Sequence, residues 1–338
     1  MDATNDVVEV SVIVPARNEE ANIAACLQSL VGQTGTSYEI IVVDDDSNDR
    51  TRPISESFPV RVIEADPLPA RWSGKCNACW SGAKAAKGKW LLFTDADTRH
   101  TSQSIATGLR EAQVHGAALL SYSPRQEVGS FAEGALMPVI FAELAVTFRP
   151  REVSDPGSPA AAANGQYLLI RREAYDAVGG HAAVADAILE DVELARRIKQ
   201  AGYRLQFRLS DVVRTRMYHN FPQMWEGWTK NLALLFPNAR QLALRRGVEF
   251  GLIAVSTLVA VKALAGRERT VFAAAAVADS ILLAFSYRRI RRAHFAWPFT
   301  LLGVFGLPLF AALLLRSDIS YKHGTVRWKG REYAATSN

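Results

Sequence analysis

Hydrophobic positions fall in short, spaced groups over roughly the first 240 residues and in long apolar stretches after them. VEVSVIV (8–14) is short and β-branched, which predicts a strand, and Pro15 ends it. Asn18 is placed to cap the next helix, with Glu19 and Glu20 in a first turn whose dipole favours acids. Ile23, Leu27, Leu30 and Val31 then recur at helical spacing. YEIIVV (38–43), VRVIEA (60–65) and KWLLFT (89–94) read as further strands, and Asn77–Lys87 as a helix with alanines on one face. Residues 101–115 suit a helix and LLSYS (119–123) a strand. Phe131–Phe148 is largely apolar and reads as a helix although Pro138 lies inside it; SDPGSP (154–159) is a loop. A strand at 167–170 and a helix ending at glycine follow. In ILEDVELARRIKQAG (188–202), Ile188, Val192, Leu194, Ala195 and Ile198 face inward on a helix that Gly202 stops.

Strand and helix alternate, so the first hundred residues predict a doubly wound α/β unit. Ligands of such sheets gather beyond the carboxyl ends of the strands. Two acidic groups stand at such ends: Asp44, Asp45 and Asp46 after YEIIVV, and Asp95 and Asp97 after KWLLFT.

The last third has a different pattern. Residues 295–315 are 21 in a row without a charge, long enough to span a bilayer. Two apolar segments precede them: 248–265, with Glu249 and Lys262 near its ends, and 271–287, with Asp279 near its middle. Nothing polar remains here to cover a soluble core, so three membrane helices are expected. The division expected is an α/β domain over 1–235, a membrane region over 236–317 and a basic tail over 318–338. Arg240, Arg245 and Arg246 precede the first segment, and Arg288, Arg289, Arg291 and Arg292 follow the second, which puts both groups on the cytoplasmic side. Three spans would then leave Lys322, Arg327, Lys329 and Arg331 outside, against the usual bias. An interfacial segment in place of one span would return them, and the sequence is compatible with either arrangement.

The 338 residues are 49% hydrophobic with a net charge of +5, and the positive clusters adjoin the apolar segments. That fits a membrane surface and not nucleic acid. Cys76 and Cys79 form a C-x-x-C, but no second pair completes a zinc site and no thioredoxin-like pattern surrounds them, so ordinary thiols are expected of them. The polar start MDATNDVVEV has no signal-peptide pattern, and the expected location is a multi-pass protein of the cell membrane with its first domain cytoplasmic.

Asp95-Ala96-Asp97 is a D-x-D. Two carboxylates with near-parallel reach can share a hard divalent cation such as Mg2+ or Mn2+, which in turn neutralises a diphosphate. Alone the pattern is weak. Together, SVIVPARNEEANIAACLQSL, EIIVVDDDSNDRT, GKCNACWSGAKAAKGKWLLFTDADT and ILEDVELARRIKQAG resemble the family 2 glycosyltransferases in order and spacing, over about residues 9–235.

The resemblance implies a GT-A fold, a Rossmann-like nucleotide-diphospho-sugar transferase domain here followed by C-terminal membrane or interfacial helices. It implies inverting transfer of a sugar from a nucleotide donor, expected to be UDP-linked. By that likeness Pro15, Arg17 and Glu19 lie in the block around the base and ribose, and Asp44 or Asp45 binds the uracil or ribose. Asp46 stands where the family usually has glycine. Lys75 and Asn77 belong to a donor-side block whose spacing is shorter here. Asp95 is assigned to the ribose or the metal-bound diphosphate, Asp97 to the metal, and Glu190 and Asp191 to the E-D motif with Asp191 as catalytic base. An inverting displacement needs a base on the acceptor face and charge neutralisation on the leaving-group face, and two separate acidic sites answer that need. Taken by itself, Asp191 is equally a helix-start acid.

RTRMYHNFPQMWEGWTKNL (214–232) occupies the place of the Q-x-x-R-W motif of processive members, but Gly227 precedes Trp228 where they have arginine. This version resembles membrane-bound enzymes grouped with carotenoid and hopanoid glycosyltransferases. Arg216, Tyr218, Trp228 and Lys230 are candidates for the donor and acceptor mouth, and an amphipathic interfacial helix is the plainer reading of the same residues. His181 and His219 are expected to be ordinary hydrogen-bonding residues. The expected acceptor is a hydroxyl on a lipid-like molecule at the membrane. The alternatives are a processive polysaccharide synthase, a non-catalytic membrane scaffold that keeps the fold, and a nucleotidyltransferase.

Overall fold

The structure, a computed structural model, describes residues 8–293, 295–323, 325–328 and 331–334. Most of the polar start (1–7) and, in the basic tail, Lys329 lie outside the described residues; Arg327 and Arg331 are described in their backbone only.

The chain divides into two compact units: residues 1–127 with 148–217, and residues 128–147 with 218–338. The first is a sheet unit. Its elements run β1 (Val10–Ala16), α1 (Ile23–Val31), β2 (Tyr38–Asp44), α2 (Thr51–Glu56), β3 (Arg61–Glu64), α3 (Gly74–Ala85), β4 (Trp90–Phe93), β5 (Thr98–His100), α4 (Ser104–Val114) and β6 (Leu119–Gln126). The chain then enters the second unit as α5 (Phe131–Thr147) and returns as α6 (Pro150–Ser154), β7 (Leu168–Arg171), α7 (Arg172–Ala177), α8 (Glu190–Gln200) and β8 (Leu205–Thr215).

The strand order is β3-β2-β1-β4-β7-β6-β8-β5. The first four strands are parallel, as the alternation of strand and helix requires. The sheet then becomes mixed, with β7 antiparallel to β4 and β6, and β5 antiparallel to β8. Both faces are covered. Ile13, Ile41 and Leu91 pack under α3, α7 and α8 on one side, and Val12, Val42 and Leu92 under α1 and α4 on the other. This is why the strands are apolar at consecutive positions rather than alternate ones. Gly82 lets α3 approach β1 closely: a Cβ there would lie 2.5 Å from the Ile13 side chain.

Helix α1 begins four residues later than Asn18 predicts. Asn18 has φ 52° in the left-handed region and caps nothing. Its carboxamide accepts from Asn48 N (2.8 Å) and its N–H donates to Ser47 Oγ (3.1 Å). It thus ties the β1–α1 loop to the β2–α2 loop, a role Asn fills because it tolerates positive φ.

The second unit is helical: α5, α9 (Phe221–Leu235), α10 (Ala239–Ala265), α11 (Arg269–Ile290), a short 3-10 turn at Arg291–Ala293 and α12 (Trp297–Lys322), then the hairpin β9 (Thr325–Trp328) and β10 (Arg331–Ala334). Three helices, Ala239–Ala265, Arg269–Ala293 (α11 with its 3-10 end) and Trp297–Lys322, are long and apolar enough to cross a membrane.

Candidate active site

The site is built at the carboxyl ends of β2 and β4 and the start of α8, all within the sheet unit. Asp44 ends β2, Asp45 follows it, and both are buried. Asp44 Oδ1 has no hydrogen-bond partner among the described residues, an acceptor in want of a donor. Arg17 Nη1 donates to the Asp45 carbonyl (3.0 Å) and lies 4.0 and 3.6 Å from the carboxylates of Asp45 and Asp46. Asp46 has φ 59°, so the position where the family usually has glycine is one that glycine occupies without strain and aspartate tolerates. Pro15 pairs with Val43 in the β1–β2 register, and Glu19 Oε2 accepts from Asn22 Nδ2 (2.9 Å) at the entry to α1. Asn77 is 1% exposed, and its carboxamide donates to the Asp66 carbonyl (2.5 Å), which fastens α3 to the chain leaving β3.

The D-x-D turn follows β4. Thr98 closes it: its N–H and hydroxyl both donate to the Asp95 carbonyl (3.2 and 2.7 Å), and Thr215 Oγ1 donates to the Asp97 carbonyl (3.3 Å). Underneath lies a buried polar cluster. His100 Nε2 is 3.0 Å from Thr94 Oγ1 and 3.2 Å from Thr98 Oγ1, and His100 Nδ1 is 3.0 Å from Ser104 Oγ. Burial lowers the His100 pKa to about 3, so the ring is neutral. The cluster ties β4, the turn and the start of α4 together, and no sequence motif announced it.

The third part is the start of α8. Glu190 and Asp191 stand in its first turn, where exposed N–H groups and the helix dipole favour acids. Asp191 is fixed by two hydrogen bonds, from Gly165 N to Oδ2 and from Val192 N to Oδ1, both 2.8 Å. Lys75, at the start of α3, joins the acidic groups: Nζ is 2.8 Å from Asp95 Oδ1 and 3.0 Å from Glu190 Oε1. A Cβ at Gly165 would lie 2.9 Å from Lys75 Nζ and 3.6 Å from Asp191 Oδ2, so the glycine leaves room for the lysine. Burial, which alone would lower the Lys75 pKa, is outweighed by Asp95, Glu190 and Asp191, and the ammonium is held charged. Burial raises the Asp191 pKa to about 6; Glu190 adds to the rise, and Lys75 and the two N–H donors oppose it.

Asp95, Lys75, Glu190 and Asp191 are therefore brought together from three elements, with Asp97 on the same turn. Asp44, Asp45 and Arg17 form the group at the neighbouring strand end. Among the described residues no three His, Cys, Asp or Glu are arranged to hold a metal ion. Gly165, Thr98 and His100 complete the site and were not read as functional. Nothing in NGQ (164–166) says which distant carboxylate the Gly165 N–H will meet.

Other expected residues stand elsewhere. Arg216 follows β8 directly. Tyr218, Trp228 and Lys230 belong to the helical unit. Trp228 is 3% exposed, donates Nε1–H to Met137 Sδ (3.3 Å) and packs edge-on against Phe141; as placed, it is a packing residue. The Lys230 carbonyl accepts from Tyr321 OH (2.7 Å). His181 is buried against Tyr175, whose hydroxyl is 2.9 Å from Nδ1, and burial lowers its pKa to about 4. Cys76 and Cys79 are buried free thiols, and burial pushes Cys76 up to about 12, far from a reactive thiolate.

Comparison with known proteins gives the family and the fold. Residues 11–179 match glycosyl transferase family 2. The chain is 28% identical over 338 residues to a 4,4'-diaponeurosporenoate glycosyltransferase of Staphylococcus aureus (strain USA300), across 96% of this chain and 88% of that one. Among solved structures it is similar to a mannosyltransferase from Pyrobaculum calidifontis in complex with GDP-Man and Mn2+, with a TM-score of 0.52 and 17% identity over 92% of this chain and 86% of that one. That likeness is one of fold, and the fold is GT-A. The chain belongs to glycosyl transferase family 2 and is a glycosyltransferase.

Proposed function

We propose that the protein transfers a sugar, with inversion, from a UDP-linked donor to an oxygen of a lipid-like acceptor at the membrane surface, with the sheet unit on the cytoplasmic side. The observation that carries this reading is the meeting of two acidic sites at one lysine. The D-x-D turn and the E-D helix start are 95 residues apart in sequence, yet Lys75 touches Asp95 and Glu190 at once. One end of the cluster suits a diphosphate and the other an attacking oxygen.

In this reading Asp44, with its unmatched buried acceptor, takes a donor N–H or hydroxyl of the nucleoside, and Arg17 holds the neighbouring Asp45 in place. Asp95 and Asp97 form an oxygen donor set that fits Mg2+ or Mn2+. Such ions keep waters and share phosphate oxygens rather than needing a full protein cage, in keeping with only two carboxylates on the turn. When bound, the ion supplies neutralisation of the leaving diphosphate. Lys75 adds a fixed positive charge beside the same carboxylates. Asp191, held by two N–H donors, takes the acceptor's proton as its oxygen attacks the anomeric carbon.

The acceptor class follows from two supports. The helical unit carries three helices long and apolar enough for a membrane, and the relatives' name is that of an enzyme for a carotenoid acid. That name also favours a second reading. The oxygen of an ionised acid carries no proton, and Asp191 would then orient the acceptor instead of deprotonating it. Asp191→Asn distinguishes the two. With a hydroxyl acceptor, kcat falls by about 10²–10⁴-fold while donor binding by calorimetry is kept. With a carboxylate acceptor the loss is small. A variant that loses donor binding and transfer together would overturn the assignment of Asp191 to the acceptor side.

A further inference from the structure

Length and composition give three helices equal standing as membrane spans, but their packing does not. The α10–α11 pair is a hairpin with little cover. Its apolar stretches are 11% buried, against 44% for α12. Leu252, Val255, Leu258, Val277, Ile281 and Phe285 are exposed along it. At 27 and 22 residues the two helices are roughly 40 and 33 Å long, enough for a hydrocarbon core of about 30 Å. Asp279, in the middle, accepts from Ser256 Oγ (2.7 Å) and Thr257 Oγ1 (2.9 Å), so the hairpin satisfies its own polar group. Asp279 apart, the hairpin's charges stand towards its two ends. Arg267, Glu268 and Arg269 form the tip, and Arg245, Arg288, Arg291 and Arg292 are exposed where it begins and ends.

Helix α12 is held differently. Its N-terminal end follows the 3-10 turn that closes α11, at the arginine-bearing end of the hairpin. Its C-terminal end is fastened to the same end. Ser317 Oγ donates to the Thr229 carbonyl (2.6 Å) and accepts from Ala233 N (2.8 Å), Tyr321 OH donates to the Lys230 carbonyl (2.7 Å), and Asp318 pairs with Arg240 (2.6 Å) in the first turn of α10. A helix of 26 residues, roughly 39 Å long, would part its ends by a bilayer's thickness if it crossed. Instead its C-terminal end meets α9 and the first turn of α10, and its N-terminal end follows directly on the end of α11. Its first half also lies on α5: a Cβ at Gly306 would meet the Ala135 carbonyl at 2.0 Å, and one at Gly134 the Phe299 ring at 2.8 Å. Helix α5 leaves and rejoins the sheet unit within 20 residues, so it makes no crossing of its own.

We infer that only the α10–α11 hairpin crosses the bilayer. Helix α12 stays on the face from which the hairpin enters, and the chain beyond it lies on the same side as the sheet unit. The hairpin's exposed apolar surface is then the surface that takes lipid, and Trp297, 74% exposed at the start of α12, sits at the interface level that tryptophan favours.

Three single-cysteine reporters in the full-length chain test this in intact cells: Val114→Cys on the sheet unit, Glu268→Cys at the hairpin tip and His323→Cys at the end of α12. Each is exposed in the structure, whereas the native Cys26, Cys76 and Cys79 are buried. A membrane-impermeant maleimide is applied before and after permeabilisation, and the labelled peptide is identified by mass spectrometry. The expected result is that His323→Cys behaves as Val114→Cys does and opposite to Glu268→Cys. If His323→Cys sides with Glu268→Cys against Val114→Cys, α12 crosses and the inference fails. If Val114→Cys and Glu268→Cys behave alike, the hairpin does not cross, and it fails as well.

Discussion

In the proposed reading, Asp191 owes its role to its surroundings. A helix start favours an acid with or without catalysis, but burial raises this one to about 6 while two N–H donors fix its direction. A base must be ionised to act, so for a hydroxyl acceptor kcat/KM is expected to fall about tenfold per pH unit below pH 6. Glu190 contributes to the rise and Lys75 opposes it, so Glu190→Gln should move this acid limb downward and Lys75→Met upward. A limb that stays in place in both variants would mean that another group titrates. The stability sign runs the other way from an ordinary ion-paired acid. Because folding raises this pKa, Asp191 contributes stability in acid that is lost as pH rises through about 6. Asp44, Asp45, Asp95 and Asp97 stood out by their place at strand ends, and Glu190 and Asp191 only through the family resemblance. Gly165, Thr98 and His100 did not stand out, because each matters through a partner far away or buried, and no residue type marks such a contact.

At the scale of elements, the strands covered on both faces, such as β1, β2 and β4, were easiest to read because their apolar runs are short, whereas β5 and the half-exposed β8 were not read as strands. The entry to α1 misled because Asn18 suits a helix cap and a left-handed turn alike, and only the loop carrying Asn48 decides between them. The 214–232 segment holds a sharper case. Gly227, where processive relatives have arginine, reads in sequence as a missing functional side chain. In α9 it is a packing position: a Cβ would stand 2.5 Å from the Tyr218 hydroxyl and 2.7 Å from its ring. Gly227→Ala should therefore destabilise by about 1–3 kcal/mol through overpacking, read as a lower unfolding temperature in detergent. Unchanged stability would show that the Tyr218 ring moves aside freely.

At the scale of the whole molecule, the helical unit is joined by a network no linear motif suggests. Glu143 of α5 lies 3.2 Å from Arg246 of α10 and 3.1 Å from Arg289 of α11. Glu249 pairs with both arginines and accepts from Ser286 Oγ. The four charged side chains are 7–16% exposed, so each needs its partners. Arg289→Gln leaves two buried carboxylates sharing one arginine and should cost about 3–5 kcal/mol. Adding Glu143→Gln should recover part of that loss, and a simple sum of the two losses would deny the coupling. The sequence by itself determined the strand-and-helix alternation, the acids at the strand ends, the E-D helix start and the apolar character of the last third. These are local properties of pattern and side-chain type. Only the tertiary structure decided which carboxylates share Lys75, how α5 leaves the sheet unit to join the C-terminal helices, and which apolar helices stay uncovered. Those depend on contacts between residues tens to hundreds of positions apart, and on how much of each apolar surface another part of the same chain already covers.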